Sequence, residues 1–211
     1  MALCHAVLPS TGDPSGTARV AYTKFLSGKA GAQVASAAAR VSDSTAHGIL
    51  LTGAGCPSVT IRKRPAWRAA VPSRGSGGAA IATLQSAQKA ARAAIEAAEA
   101  ATKTAELGGI PATIAAAKSA EQVVKATQAG LMATTIAATV ASLAASGKPP
   151  DLHTCTIPLP IPPNGPGLVV GGSSSVFIGG YAAARIGDQL VEAVGPPNSV
   201  TSGETSVVIG D

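Results

Sequence analysis

The chain has 211 residues, of which 24 are glycine, 15 are proline and only 2% are aromatic, and its formal net charge is +5. So few large apolar side chains exclude a fold that depends on a bulky core, so stability has to come from regular backbone pairing, close packing of small residues, assembly or a metal. The charge is unevenly spread: residues 1–71 carry eight Lys/Arg against two Asp, whereas 149–211 carry Arg185 alone against five acids. That asymmetry argues against a uniformly basic nucleic-acid binder.

The opening MALCHAVLPSTGD has neither a basic start nor a long apolar run, so no secretory signal peptide is expected. Cys4, Cys56 and Cys155 are irregularly spaced, suggest no disulfide framework and point to a reducing cytoplasm. Any export would use a route that reads no N-terminal peptide. Residues 1–36 read as an N-terminal extension. They are followed by AAARVSD at 37–43, GCPSVTI at 55–61 and RPAWRAA at 64–70. Arg62, Lys63, Arg64 and Arg68 cluster around Trp67 and could touch phosphates. Without a second aromatic platform they read as the solvated end of a hairpin.

Composition changes at about 72 and again near 148, and the segment between is dominated by alanine. Lys89, Arg92, Glu96, Glu99, Lys103 and Glu106 are spaced alternately by three and four, which holds them on one stripe of a helix. Ile81, Leu84, Ala91, Ile95 and Ala98 are left for the other face. GGIP at 108–111 ends that helix, because glycine caps it and proline cannot continue it. A second helix follows with Lys118, Glu121 and Lys125, so 72–148 is expected to be an inserted α-helical hairpin. Residues 126–147 are uncharged and long enough to cross a bilayer. Their Ala, Thr and Ser content is weakly hydrophobic for that task, so a packed hairpin is the main reading and membrane insertion the alternative.

The phrase G-x-x-S-V-x-I recurs at 55, 172 and 203 as GCPSVTI, GSSSVFI and GETSVVI. Once 72–150 is set aside as an insertion, the copies lie 38 and 31 residues apart, the spacing of a short structural repeat. Each copy opens with glycine and puts Val and Ile two apart on one face of a strand, with Thr60, Phe177 or Val208 on the other. AAARVSD returns as AAARIGD at 182–188. A mainly β fold of three similar hairpins, interrupted by the helical arm, is implied.

Polar side chains follow these phrases at a fixed offset. His47 lies four beyond Asp43, His153 and Cys155 two and four beyond Asp151, and Glu192 four beyond Asp188. Imidazole with thiolate suits tetrahedral zinc, and alternation along Asp151-x-His153-x-Cys155 puts both donors on one face. The expected metal ligands are His47, His153 and Cys155, with Glu192, His5 or water in the fourth position. Cys56 reads as a small apolar strand residue.

ARVSDSTAHG, GCPSVTI, DLHTC, GSSSVFIGGYAAARIGD and GETSVVIG together resemble the PAAR-repeat proteins, which cap the spike of type VI secretion systems and related contractile injection machines. The resemblance covers 37–71 and 149–211. It implies a small cone of three β-hairpins with pseudo-threefold symmetry, docked on a homotrimeric VgrG-type spike at one copy per trimer, with a structural zinc on His47, His153 and Cys155. The implied role is a non-enzymatic spike tip with no catalytic residues and no specific nucleic-acid partner. Its helical insertion would help carry an effector or hold a chaperone, and membrane contact would occur during delivery. Such a protein stays cytoplasmic until the machine fires and then leaves the cell. A membrane-inserting effector using 126–147 is the alternative within the same machine, and a zinc hydrolase is the alternative from another class. The hydrolase would need a general base beside an open coordination position.

Overall fold

The computed structural model describes residues 35–73, 77–145, 149–156 and 164–210. Cys4 and His5, with the rest of the extension up to residue 34, lie outside the described residues. Among the described residues eleven short strands, paired antiparallel in small sheets, accompany two long helices.

The recurring phrase builds one unit three times. Strand β2 (Cys56–Ile61) turns into β3 (Arg64–Ala66), and β7 (Phe177–Ile178) turns into β8 (Tyr181–Ala183). The third unit joins β11 (Glu204–Ile209) to β1 (Ser36–Ala38), so its two strands come from opposite ends of the described chain. The register is the same in all three: Ile61 faces Arg64, Ile178 faces Tyr181 and Ile209 faces Ser36. The opening glycine has a steric reason. A Cβ on Gly203 would lie 2.7 Å from the Ala38 carbonyl oxygen, and one on Gly55 would lie 2.9 Å from that of Ala66.

The units close on one another as a ring. Ala39 N–H donates to Ala184 O (2.9 Å), Ala184 N–H to Trp67 O (3.1 Å) and Trp67 N–H to Ala39 O (2.9 Å). The same cycle appears in the strand pairing, where Ala38 faces Arg185, Ala183 faces Arg68 and Ala66 faces Arg40. Ala38, Ala66 and Ala183 have no solvent exposure, which explains why the phrase demands alanine there. Trp67, fully buried, stands where the other two units have Ala39 and Ala184, and one large ring with two methyl groups fills the centre.

Each ring member is followed by an arginine that clasps an aspartate. Arg40 binds Asp43 through its backbone N–H (2.8 Å), Nε (3.2 Å) and Nη2 (3.0 Å). Arg185 donates its N–H to Asp188 (2.6 Å) and brings Nη2 to 3.6 Å. Arg68 does the same with Asp151, at 2.8, 3.0 and 2.7 Å, although 83 positions separate the two. The arginine of RPAWRAA therefore has a defined partner, and the helical arm is inserted inside the third Arg–Asp turn.

Strand β4 (Arg68–Pro72) leads into α1 (Gly77–Gly108), and α2 (Pro111–Ala144) leads back to Asp151. The break falls where GGIP requires it, with Gly109 in the left-handed region (φ 70°) and Pro111 opening the second helix. At the base of the arm Ile81, Leu84, Met132, Ile136 and Leu143 pack with Leu168, Val191 and Tyr181 into one core. Toward the tip the contact turns polar: Lys125 Nζ binds Glu121 (2.6 Å) and Glu99 (2.8 Å), and Lys118 Nζ binds Glu106 (2.9 Å). The hydrogen bond from Lys125 is the main reason the Glu121 carboxyl is held below its usual range. Part of the α1 charge stripe thus reaches across to α2 while staying partly open to solvent, and Ile95 and Ala98 are only half-buried. Among the described residues no helix is long and apolar enough to cross a membrane.

Candidate metal centre

A four-stranded sheet in the order β10 (Asn198–Ser199), β9 (Gln189–Glu192), β6 (Gly165–Val169), β5 (His153–Cys155) supplies most of the site. In β5 His153 and Cys155 are buried and Thr154 between them is exposed, the alternation expected of His-Thr-Cys. His153 faces Gly167, and Gly167 faces Glu192 on the far side, so the three form one row across the sheet. Gly167 has a positional reason: a Cβ there would approach the Glu192 Cγ to 3.0 Å. Without that side chain the imidazole and carboxylate meet over the glycine, with His153 Nε2 at 3.7 Å from Glu192 Oε1.

His47 arrives from the first unit, on the loop after the Arg40–Asp43 clasp. Its Nδ1 is 2.9 Å from Glu192 Oε2, and its backbone N–H donates to Asn198 Oδ1 at 3.3 Å. His47, Cys155 and Glu192 each present one ligand atom, and those atoms lie within 4.8 Å of one another. These are the residues four beyond Asp43, Asp151 and Asp188, so each unit contributes the side chain at the same position. The group shares His47 and Cys155 with the expected ligands and adds Glu192, a candidate for the fourth position. Glu192 is the third member of the close group, and His153, two beyond its aspartate, borders it through the carboxylate.

Glu192 is only 3% exposed, so its carboxyl oxygens need partners, and two asparagines provide them. Asn198 Nδ2 donates to Oε1 at 2.6 Å and Asn164 Nδ2 to Oε2 at 3.1 Å, with the Asn164 amide also 3.0 Å from His47 Nδ1. Neither asparagine was expected from the chemistry of the repeats. The signal for them is the phrase Pro-Pro-Asn, written once at 162–164 and again at 196–198.

The donors fit a divalent metal ion. Among the described residues His47 Nε2 and His153 Nε2 are buried with no hydrogen-bond partner, and Asn164 Oδ1 is in the same position. A buried polar atom without a partner is costly, and a cation beside it removes that cost. Burial, with a smaller contribution from His47, pushes the His153 imidazole down to a pKa of about 4, so at neutral pH it is uncharged and offers a lone pair. In the tautomer whose Nδ1–H donates to Glu192, the His47 Nε2 lone pair faces a metal and the carboxylate orients the ring. Glu192 can ligate directly or act as that acceptor. Cys155 contributes a buried thiol, and Cys56 is a fully buried strand residue away from this group. Cys56 is disulfide-bonded, although the irregular cysteine spacing suggested no disulfide framework.

Comparison of the chain with protein-family profiles, with curated proteins and with solved structures finds no match.

Proposed function

We propose that the chain is a PAAR-type tip protein that caps a trimeric VgrG-type spike of a contractile, type VI-like secretion machine, with a structural zinc ion bound among His47, His153, Cys155 and Glu192. The observation that carries this reading is the cyclic closure of three units: the backbone ring of Ala39, Trp67 and Ala184, the three Arg–Asp clasps, and the convergence of the +4 residues of all three units. One chain with three equivalent faces suits a partner with threefold symmetry. In this reading the units form a short rigid cone. The zinc ties together strands distant in sequence, so that its binding energy becomes folding energy. The chain acts without catalysis, and its helical arm is the attachment point for cargo or a chaperone. The chain is held in the cytoplasm and exported when the machine fires.

The test is co-purification of the full-length chain with the trimeric spike protein of the same apparatus, reading stoichiometry and metal together. One copy per three spike chains with one equivalent of zinc is the expected result. Failure to bind any trimeric spike would remove the reading, and chelator-sensitive turnover of a peptide or nucleotide substrate would replace it with hydrolysis.

A further inference from the structure

Glu192 is held from two sides by asparagines that the sequence writes in the same phrase, Pro-Pro-Asn at 162–164 and 196–198. Asn198 Nδ2 reaches Oε1 at 2.6 Å and Asn164 Nδ2 reaches Oε2 at 3.1 Å, so each carboxyl oxygen has its own amide donor. The last torsion of a glutamate is intrinsically broad, and donors on both oxygens fix it. The backbone ring and the three Arg–Asp clasps use neither amide side chain. Burying two amides costs free energy that the repeat itself does not call for, so their place at Glu192 asks for a reason of its own.

Each asparagine is anchored before it reaches the carboxyl group. Asn164 O accepts from Ala193 N–H (3.0 Å) and Val194 N–H (3.4 Å), directly after Glu192. Asn198 Oδ1 accepts from His47 N–H (3.3 Å) and Ser199 N–H (2.9 Å), which leaves its nitrogen aimed at Oε1. The chain also makes room for the first amide at a definite place. A Cβ on Gly195 (φ 106°) would lie 2.8 Å from Asn164 Oδ1 and 3.0 Å from Nδ2, so a side chain there would push the amide off Oε2.

We propose that Asn164 and Asn198 are the positioning residues of the metal centre: acting through the Glu192 carboxyl group, they set the affinity and the coordination geometry with which this chain holds a zinc-class divalent ion. The inference rests on the metal reading given above and deepens it. Its physical content is preorganisation, because side-chain freedom that Glu192 gives up on folding is not given up again when an ion binds. Groups that orient metal ligands contribute about 10- to 100-fold in affinity.

The experiment measures the zinc affinity of the full chain by competition with a chromophoric chelator and records the visible spectrum of the cobalt(II)-loaded protein, which reports coordination geometry. Asn164→Ala and Asn198→Ala are compared with the unaltered chain, alone and in a Glu192→Ala background. Gly203→Ala, whose added Cβ meets the Ala38 carbonyl oxygen and no residue of the metal centre, shows how far affinity falls through lost stability alone. Circular dichroism checks the fold, and Asn164→Ser or Asn198→Ser, too short to reach the carboxyl group, replaces an alanine variant that does not fold. Each asparagine variant is expected to bind zinc about tenfold more weakly or worse and to shift the cobalt spectrum, and the loss should shrink to about twofold or less without Glu192. Losses no larger than that of Gly203→Ala, with unchanged cobalt spectra, overturn the inference while leaving the metal centre standing. Losses that persist undiminished in the Glu192→Ala background overturn it in favour of direct contact between amide and ion. Failure of the unaltered chain to take up one equivalent of zinc or cobalt(II) overturns the metal reading and this inference with it.

Discussion

Arg68 and Asp151 stand at the two ends of the helical arm and are joined by three hydrogen bonds, the same clasp that Arg40 and Asp43 make within a single turn. Both partners are more than nine-tenths buried, and Arg68 also lies over the Tyr181 ring at 5.7 Å. The clasp holds the root of the arm in place, and Asp151 is two residues from His153, so the arm and the candidate metal centre share one anchor.

Replacing Arg68 by Met should therefore be severe. It leaves the Asp151 carboxylate buried without its counterion, a change that costs about 3–5 kcal/mol. Urea denaturation should show the midpoint falling accordingly, whereas Arg62→Met, on the exposed turn, should change stability by about 0.5 kcal/mol or less. Equal effects of the two would show that the clasp contributes nothing special.

The metal centre predicts a chelator effect. Metal analysis of the purified chain should return one equivalent of zinc, and removal should lower the Tm. Cys155→Ser and His47→Ala should each reduce the metal content well below one equivalent, and Cys56→Ala should leave it unchanged. Retention of a full equivalent by Cys155→Ser would remove the thiolate from the ligand set.

For the metal-free chain, the depressed pKa of His153 fixes the sign of a pH effect. The unfolded imidazole takes up a proton near pH 6.5, while the folded one resists until about pH 4. The stabilisation is complete above the unfolded value and is lost as pH falls between the two, amounting to roughly 3 kcal/mol at the lower limit. Urea midpoints of chelated protein at pH 7, 6 and 5 should fall in that order, and His153→Gln should flatten the slope.

Two glycines should respond in opposite directions. Gly203→Ala forces a Cβ to within 2.7 Å of the Ala38 carbonyl oxygen and should destabilise by about 2 kcal/mol or more. Gly130, inside α2, has nothing within 4 Å of the added atom, so Gly130→Ala should stabilise by about 0.5–1 kcal/mol through helix propensity alone. Thermal melts of both variants decide the matter.

The repeats were legible because threefold backbone geometry imposes the same local demands three times. Glycine appears where a side chain would strike a carbonyl, alanine where no volume is left, and Val and Ile two apart where a strand face is covered. The arm was legible from charge periodicity and GGIP. Its inner face was only partly so, because Glu99 and Glu106 use a stripe that spacing alone assigns to solvent. At the metal centre the offsets from Asp43, Asp151 and Asp188 located the convergence. The choice between His153 and Glu192 depends on Gly167 letting two side chains meet over it, a cross-strand relation with no local signature. The clasp of Arg68 was hidden because an insertion separated the two halves of a four-residue phrase.

The pairing of β11 with β1 constrains how the molecule is made. Ile209 must find Ser36, so the third hairpin and the ring it completes cannot assemble on the ribosome until nearly the whole described chain has emerged. The helical arm, whose contacts are mostly local, can form while synthesis is still under way. The nascent protein would then hold a finished arm on an open body, and anything that grips the arm early would be bound before the body closes.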